Sequence, residues 1–129
     1  MKIIKPAPDH ETSRGVIGGA EISQATVGAC NIFMGIFRVP PGAVSRPHYH
    51  ANCESSLYML RGQMLIRCGE NFEERIKVVP GDLLYVPAHE THILENLSET
   101  ETIEYVVARN AATEDSVEVP WPGGETMPG

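Results

Sequence analysis

Basic residues are scarce in this sequence of 129 residues. Lys and Arg number 10 against 17 Asp and Glu, which gives a formal net charge of −7. The imbalance is concentrated in residues 90–129, which hold nine acidic residues and one arginine. Because affinity for nucleic acid comes mainly from basic groups that contact the phosphates, the lack of a basic stripe argues against a nucleic-acid partner.

Long apolar runs are missing as well. The longest uncharged run, Ile22–Phe37, is interrupted by Ser, Gln, Thr and Asn and is shorter than a bilayer-spanning helix requires. Lys2 and Lys5 near the N-terminus are not followed by the apolar stretch of a secretory signal. These features predict a soluble, cytoplasmic protein with no membrane partner.

Cysteine and aromatic residues are also few. The three cysteines, Cys30, Cys53 and Cys68, are odd in number and too far apart for a zinc knuckle, which fits a reducing compartment. We interpret all three as buried small apolar residues. Apolar residues make up 42% of the chain, and the 12 Gly and 10 Pro indicate a globular protein rich in turns, with one core.

Short strands dominate the predicted secondary structure. Apolar runs ended by Gly, Pro or Asn recur along the chain, and no long stretch keeps a helical period. In the longest run, Phe33, Phe37 and Val39 fall on one face. This pattern predicts an all-β antiparallel sandwich or small barrel. The expected strands are Ala29–Val39, Pro47–His50, Ser56–Leu60, Gln63–Arg67, Ile76–Val79, Leu83–Val86, His92–Leu94 and Thr102–Ala108.

We predict three regions along the chain. Residues 1–28 form an N-terminal arm with edge strands, and residues 29–109 form the barrel. Residues 110–129 are acidic and rich in Pro and Gly, so we expect an arm or a partly disordered tail.

Four of the five histidines fall into two tight groups, His48 with His50 and His89 with His92. Residues two apart in a strand point to the same face, so His48 and His50 can both project into the barrel. Glu54 follows closely, and polar groups that converge inside a small barrel need a common partner. One divalent transition metal ion (Fe, Mn, Ni, Zn or Cu) is that partner, and it keeps positions open for water or substrate.

The sequence around these histidines resembles the two motifs of the cupins. In the first motif, Gly42 is followed by five residues, His48-Tyr49-His50, three residues and Glu54. The second motif is matched throughout its spacing by Gly81-Asp82, Pro87, His92 and Asn96.

The resemblance implies a small single-domain cupin, an antiparallel double-stranded β-helix or jelly-roll barrel. It also implies that the first motif supplies two histidines and a glutamate to one metal ion, and the second motif one histidine. Carried over position by position, the metal ligands are His48, His50, Glu54 and His92.

Two positions depart from the cupin motifs. Seven residues separate Glu54 from Gly62 where the family usually has six, so Ser55 takes the commonest glutamate position when counted backward. The extra residue changes the strand register unless a bulge absorbs it, and a three-histidine site completed by water is the alternative. His89 stands where the second motif usually has Gly at a turn, and His tolerates the positive φ of such a turn better than most residues.

Three further residues are candidates for chemistry. Arg46 lies two residues before His48, so a strand would point both side chains to the same face. Arg46 is then a candidate to bind a carboxylate or phosphate, although Pro47 can equally turn it outward. His89 is a candidate substrate contact at the barrel mouth or an exposed turn residue. Tyr58 lies four residues after Glu54, so a strand would point both side chains to the same face, and these two are the candidate catalytic residues. The other interpretation of Tyr58 is that it packs in the core.

The leading functional hypothesis is a metal-dependent enzyme that acts on a small organic substrate, with anionic and enolisable compounds as the candidates. A mixed histidine and carboxylate site favours oxidoreductase chemistry of the dioxygenase type. The cupin resemblance equally implies isomerase, cyclase or lyase activity on sugar, ketouronate or polyketide-like substrates. A non-catalytic module that binds a small ligand is the alternative from another class.

The resemblance also implies a homodimer. Open jelly-roll barrels leave sheet edges that need covering. The candidate contact segments are Val16–Ala29 and Val117–Trp121.

Overall fold

Two five-stranded antiparallel sheets make up the computed structural model, which describes residues 1–6 and 16–124. In chain order the strands are β1 (Ile17–Gly18), β2 (Phe33–Val39), β3 (His48–His50), β4 (Ser55–Arg61), β5 (Met64–Cys68), β6 (Glu74–Val78), β7 (Leu83–Val86), β8 (His92–Glu95), β9 (Ile103–Arg109) and β10 (Ser116–Glu118). A four-residue helix, α1 (Gln24–Val27), and a 3-10 turn at Pro122–Gly124 complete the elements.

The chain crosses repeatedly from one sheet to the other, in the manner of a jelly roll. Sheet A has the order β1-β2-β9-β4-β7, and sheet B has the order β10-β3-β8-β5-β6. The predicted all-β antiparallel fold class is confirmed, and each of the eight expected strands has a counterpart. Among the described residues, no helix is both long and apolar enough to cross a bilayer. The cytoplasmic location stays a prediction.

The core forms where the inward faces of the two sheets meet. In β2 the buried residues Phe33, Phe37 and Val39 alternate with more exposed ones, as predicted. The Phe37 ring stacks on Tyr105 of β9 at a centroid distance of 5.8 Å. The core of the described chain is thus built by side-chain alternation in paired strands. The largest side chains that it buries completely include Met59, Met64, Ile93 and Ile103.

A β-bulge interrupts β4 near its end. The pairing of β4 with β9 shifts between Met59 and Arg61, which makes Leu60 the unpaired residue. Gly62 follows with a φ of 82°, and a Cβ atom there would lie 2.9 Å from the Cα atom of Ile103. The bulge lies beyond Met59, so the alternation of β4 before it is uninterrupted.

The two segments expected to mediate a dimer lie at sheet edges. β1 belongs to Val16–Ala29 and is the edge strand of sheet A, and β10, which pairs with β3, overlaps Val117–Trp121 at the edge of sheet B. The homodimer and the division of the chain into three regions stay predictions. Residues 7–15 of the expected arm and 125–129 of the expected tail lie outside the described residues.

All three cysteines are free thiols. Cys53 and Cys68 are buried, as predicted. The prediction for Cys30 was wrong, because this residue is exposed in the turn between α1 and β2.

Asn96 holds together the turn that follows β8. Its buried side-chain amide donates hydrogen bonds to the carbonyl oxygens of Val39 at 3.0 Å, Pro40 at 3.2 Å and Glu101 at 2.7 Å. Its side-chain oxygen accepts from the Ser98 backbone N–H at 3.0 Å. The motif asparagine therefore fixes the chain between the two sheets and takes no part in the histidine cluster.

Asn96→Ala is expected to lower the free energy of unfolding by about 2–3 kcal/mol, because it leaves buried carbonyl groups without their donor. Urea unfolding followed by circular dichroism measures this loss, with exposed Asn31→Ala as the matched control. Equal stability of the two variants would contradict the structural role of Asn96.

Candidate metal centre

Three buried histidines converge on the inward face of sheet B. His48 and His50 lie two residues apart on β3, so strand alternation points both rings to the same side. His92 of β8 is the register partner of His48. Each ring offers one ligand atom, and these atoms all lie within 4.8 Å of one another.

Backbone carbonyl groups orient two of the three rings. The Nδ1 atom of His48 lies 2.6 Å from the Arg46 carbonyl oxygen, and the Nδ1 atom of His92 lies 2.9 Å from the Glu90 carbonyl oxygen. A carbonyl oxygen only accepts hydrogen bonds, so we assign the ring hydrogen to Nδ1 in both cases. The lone pair of each ring is then on Nε2, the tautomer that a metal ligand requires.

A carboxylate lies near the third ring. The Nδ1 atom of His50 lies 3.5 Å from Oε1 of Glu114, which belongs to the connection between β9 and β10. The other oxygen of Glu114 lies 3.8 Å from an Nη atom of Arg109. Glu114 therefore joins His50 to a buried arginine on the opposite sheet.

Sheet A supplies the wall that faces the histidines. Ser55 of β4 and Arg109 of β9 are register partners on the inward face, and Arg109 Nε donates a hydrogen bond to Ser55 Oγ at 3.3 Å. The cavity between the sheets has a volume of about 60 Å³ and a largely apolar lining. Its polar lining residues are Ser45, His48, His50, Ser55, His92 and Arg109.

This donor set fits a divalent transition metal ion. Imidazole nitrogen suits Zn, Cu, Fe and Ni, and three protein ligands leave positions open for water or substrate. The histidines that would hold the ion are His48, His50 and His92.

The sequence family described as Cupin domain matches residues 35–108. The chain belongs to the cupin family. The match covers both histidine motifs and all the strands from β3 to β8.

Among curated proteins, this cupin is similar to the tetracenomycin polyketide synthase protein TcmJ of Streptomyces glaucescens. The two are 28% identical over 90 residues, which are 70% of this chain and 57% of TcmJ. The chain thus spans little more than half the length of this relative.

Solved structures show the same fold. The polyketide cyclase RemF from Streptomyces resistomycificus has a TM-score of 0.72 at 20% identity, over 93% of this chain and 82% of RemF. An oxalate oxidase in complex with the substrate analogue glycolate has a TM-score of 0.71 at 20% identity, over 84% of this chain and 57% of the oxidase chain.

Glu54, the expected fourth ligand of the cupin centre, lies outside the histidine cluster. Its exposed carboxylate accepts hydrogen bonds from the Tyr85 hydroxyl at 2.5 Å and from the Asn110 side-chain amide at 3.3 Å. Glu54 precedes the first residue of β4, where the alternation places Ser55 inward. In this structure Glu54 therefore lies apart from the histidines, and the interior position next to it holds Ser55.

The other sequence candidates also point away from the histidines. The Arg46 side chain is 46% exposed and pairs with Glu118 of β10 at 3.4 Å. Tyr58 is 44% exposed, because it lies three residues after the inward Ser55 in β4 and therefore points to the outer face. His89 is exposed in a turn with the tolerated positive φ, 66°, and its backbone N–H donates to the His50 carbonyl oxygen at 2.9 Å. The structure therefore brings Arg46, Tyr58 and His89 to the surface around the barrel.

Two residues of the cavity region were missed from the sequence. Arg109 is the last inward position of β9 after Ile103, Tyr105 and Val107, so extending the predicted strand by one residue would have found it. Glu114 lies in a connection with no periodic pattern, and its approach to His50 depends on the fold alone.

Cys68 lies opposite His92 in the register of β5 and β8. Burial and the neighbouring Glu74 carboxylate raise the pKa of the Cys68 thiol to about 11. The side chain is therefore a protonated thiol at neutral pH, and it stands outside the group of potential ligands.

The placement of Glu54 predicts a change in tyrosine titration. The Glu54 carboxylate accepts a hydrogen bond from the Tyr85 hydroxyl. This bond raises the pKa of Tyr85, because the hydroxyl would lose it on ionisation. Glu54→Gln is expected to lower the Tyr85 pKa toward its usual value of about 10. The tyrosinate absorbance during a pH titration measures this shift, with Tyr85→Phe to assign the signal.

Exposed Glu99→Gln is the matched control and is expected to leave the titration unchanged. A Glu54→Gln variant that titrates like the wild type would contradict the observed position of Glu54.

Proposed function

We propose that this cupin is a metal-dependent enzyme that acts on a small organic substrate inside the barrel. The observation that carries the proposal is the convergence of three buried imidazoles whose ligand atoms lie within 4.8 Å of one another. Burying three polar rings in an apolar cavity is costly unless they share a partner. The orientation of His48 and His92 by carbonyl oxygens supports a metal ion as that partner.

A bound divalent ion would act as a Lewis acid that polarises a carbonyl or carboxylate oxygen of the substrate. The chain would contribute the rest of the environment. Backbone carbonyl oxygens orient the His48 and His92 rings, and the largely apolar lining limits the access of bulk water to the reacting group. Arg109 and Ser55 line the opposite wall of the cavity and present hydrogen-bonding groups to a ligand there.

The substrate is expected to be small. A cavity of about 60 Å³ is far below the roughly 300–1,000 Å³ of pockets that bind drug-sized ligands. A small acid or enolisable carbonyl compound suits this volume better than a polycyclic one does.

The donor set changes the order of the candidate reactions. The preference for oxidoreductase chemistry depended on a mixed histidine and carboxylate site, and Glu54 lies elsewhere. Three neutral ligands leave more positive charge on a bound ion, which favours a redox-neutral reaction such as cyclisation, isomerisation or lyase chemistry. The similarity to a polyketide synthase protein and to a polyketide cyclase supports the same reaction class.

Oxygen-dependent oxidation is the second candidate. Imidazole ligands also suit iron and copper, and the fold is shared with an oxalate oxidase. The small cavity suits a molecule as small as glycolate, the substrate analogue bound to that oxidase. A non-catalytic ligand-binding barrel is the remaining hypothesis, and it predicts binding without turnover.

Protein purified without chelator is expected to contain close to one equivalent of a transition metal per chain. His48→Ala, His50→Ala and His92→Ala should each lower this content at least about tenfold, because each removes a ligand. Elemental analysis by mass spectrometry measures the content. His89→Asn, which keeps a residue that tolerates positive φ, is the matched control for an exposed histidine. Wild-type protein with far less than one equivalent would overturn the proposed metal site.

Oxygen uptake separates the two reaction classes. Protein loaded with zinc and protein loaded with iron are incubated with small keto acids, diketones and enolisable esters, with and without oxygen. A redox-neutral enzyme is expected to turn over a substrate in its zinc form without consuming oxygen. Turnover that needs both iron and oxygen would replace this reaction class with the oxidative one, and metal-loaded protein that binds ligands without turnover would favour the binding module.

A further inference from the structure

The barrel opens to solvent along the edge where β6 and β7 lie. β6 is the last strand of sheet B, β7 is the last strand of sheet A, and residues 79–82 join them. The inward positions of β6 become more exposed with distance from this connection: Val78 is 3% exposed, Ile76 is 38% exposed, and Glu74 lies at the exposed end of the strand. The gap between the two sheets therefore widens toward Glu74.

A row of cross-strand neighbours leads from the histidines to this opening. On the inward face of sheet B, His92 of β8 is the register partner of Cys68 of β5, and Cys68 is the partner of Glu74 of β6. Residues directly opposite each other in neighbouring strands have Cβ atoms about 4.5–5.5 Å apart. The Cys68 thiol donates to Oε2 of Glu74 at 3.7 Å. One residue of the row thus separates a candidate metal ligand from the open edge.

A second cavity lies at this opening, and we call it the seam cavity. It has a volume of about 90 Å³. Ile66, Val86 and His92 line both the seam cavity and the cavity of the histidines, so the two are adjacent and these three side chains lie between them. A ligand held at the histidines therefore has a second space within its reach.

The walls of the seam cavity suit an uncharged apolar group. Glu74 and Glu90 also line it, so an anionic group placed there would meet charge of the same sign. Burial against the remaining walls favours hydrocarbon over polar groups. The apolar lining residues are Ile66, Ile76, Leu84, Val86 and Pro87.

We propose that the seam cavity binds the tail of the substrate, an uncharged apolar group of a few carbon atoms, while the polar head of the same molecule binds at the histidines. The inference rests on the proposed metal-dependent function and adds a specificity site to it. The two cavities together stay below the roughly 300 Å³ at which pockets for drug-sized ligands begin, so the tail is short. Glu74 and Glu90 select against a tail that carries negative charge.

Hydroxamic acids of increasing chain length test the seam cavity without requiring a known reaction. The hydroxamate head binds a transition-metal ion through two oxygen atoms, and the visible absorption of cobalt-loaded protein reports that binding. Each methylene group that enters an apolar cavity strengthens binding roughly two- to fourfold. The wild type is therefore expected to bind hexanohydroxamic acid at least about tenfold more tightly than acetohydroxamic acid.

Ile76→Trp should remove this preference. Ile76 belongs to an edge strand and is partly exposed, so a larger side chain there fills the seam cavity without entering the buried core. Acetohydroxamic acid should bind as in the wild type, and the preference for the longer ligand should fall below about threefold. Leu97→Trp is the matched control, because Leu97 is exposed beyond the other end of β8, and it should keep the wild-type preference.

A ligand with a charged tail tests the role of the carboxylates. The monohydroxamate of adipic acid has a chain of the same length that ends in a carboxylate. The wild type should bind it at least about tenfold more weakly than hexanohydroxamic acid, and Glu74→Lys should reduce this difference at least about threefold. Glu99→Lys, at an exposed position between β8 and β9, is the matched control and should leave the difference unchanged.

The outcomes separate this inference from the proposed function. Failure of the wild type to bind cobalt at the histidines overturns the metal site. Cobalt binding without a dependence on chain length, or with a dependence that Ile76→Trp leaves unchanged, overturns the seam cavity alone. If Ile76→Trp does not fold, Glu74→Lys decides: wild-type discrimination against the charged tail in this variant overturns the seam cavity.

Discussion

The antiparallel pairing of β3 with β8 is the constraint on which the candidate centre depends. The pairing sets His48 directly opposite His92, and the two-residue repeat of β3 adds His50 on the same face. A slip of one residue in either strand would turn a histidine to the outside of the barrel. The bond from the His89 N–H to the His50 carbonyl oxygen joins the turn before β8 to the end of β3. The register of these short strands is therefore supported outside the ladder itself.

Charge is distributed unevenly between the two sheets that enclose the cavity. Sheet B contributes three imidazole rings, whereas sheet A contributes a guanidinium group and a serine hydroxyl. Glu114 brings a negative charge from a connection that belongs to neither inward face. An ion held by the histidines would therefore lie in a cavity with an arginine on the opposite wall and a carboxylate near both walls.

The sequence predicted those parts of the molecule that depend on local patterns. Alternation and turn residues identified the eight main strands, and motif spacing identified His48, His50 and His92 as neighbours. Glu54 lies apart from the histidines because the alternation of side chains along β3 does not continue through the irregular residues that precede β4. Tyr58 lies on the outer face for the same reason, since the sequence analysis placed it on the same face as Glu54. Arg109 was within reach of pattern analysis, but Glu114 was not, because its approach to His50 is a tertiary contact across residues distant in sequence.

The link between Gln24 and Ala112 has a consequence for how the centre can vary. The backbone N–H of Gln24, at the start of α1, donates to the carbonyl oxygen of Ala112 at 3.1 Å, only two residues before Glu114. The loop that carries the carboxylate is thus anchored to a segment before the barrel and lies outside both histidine motifs. Changes in this loop can retune the charge around a bound ion while the strands that hold the histidines stay the same.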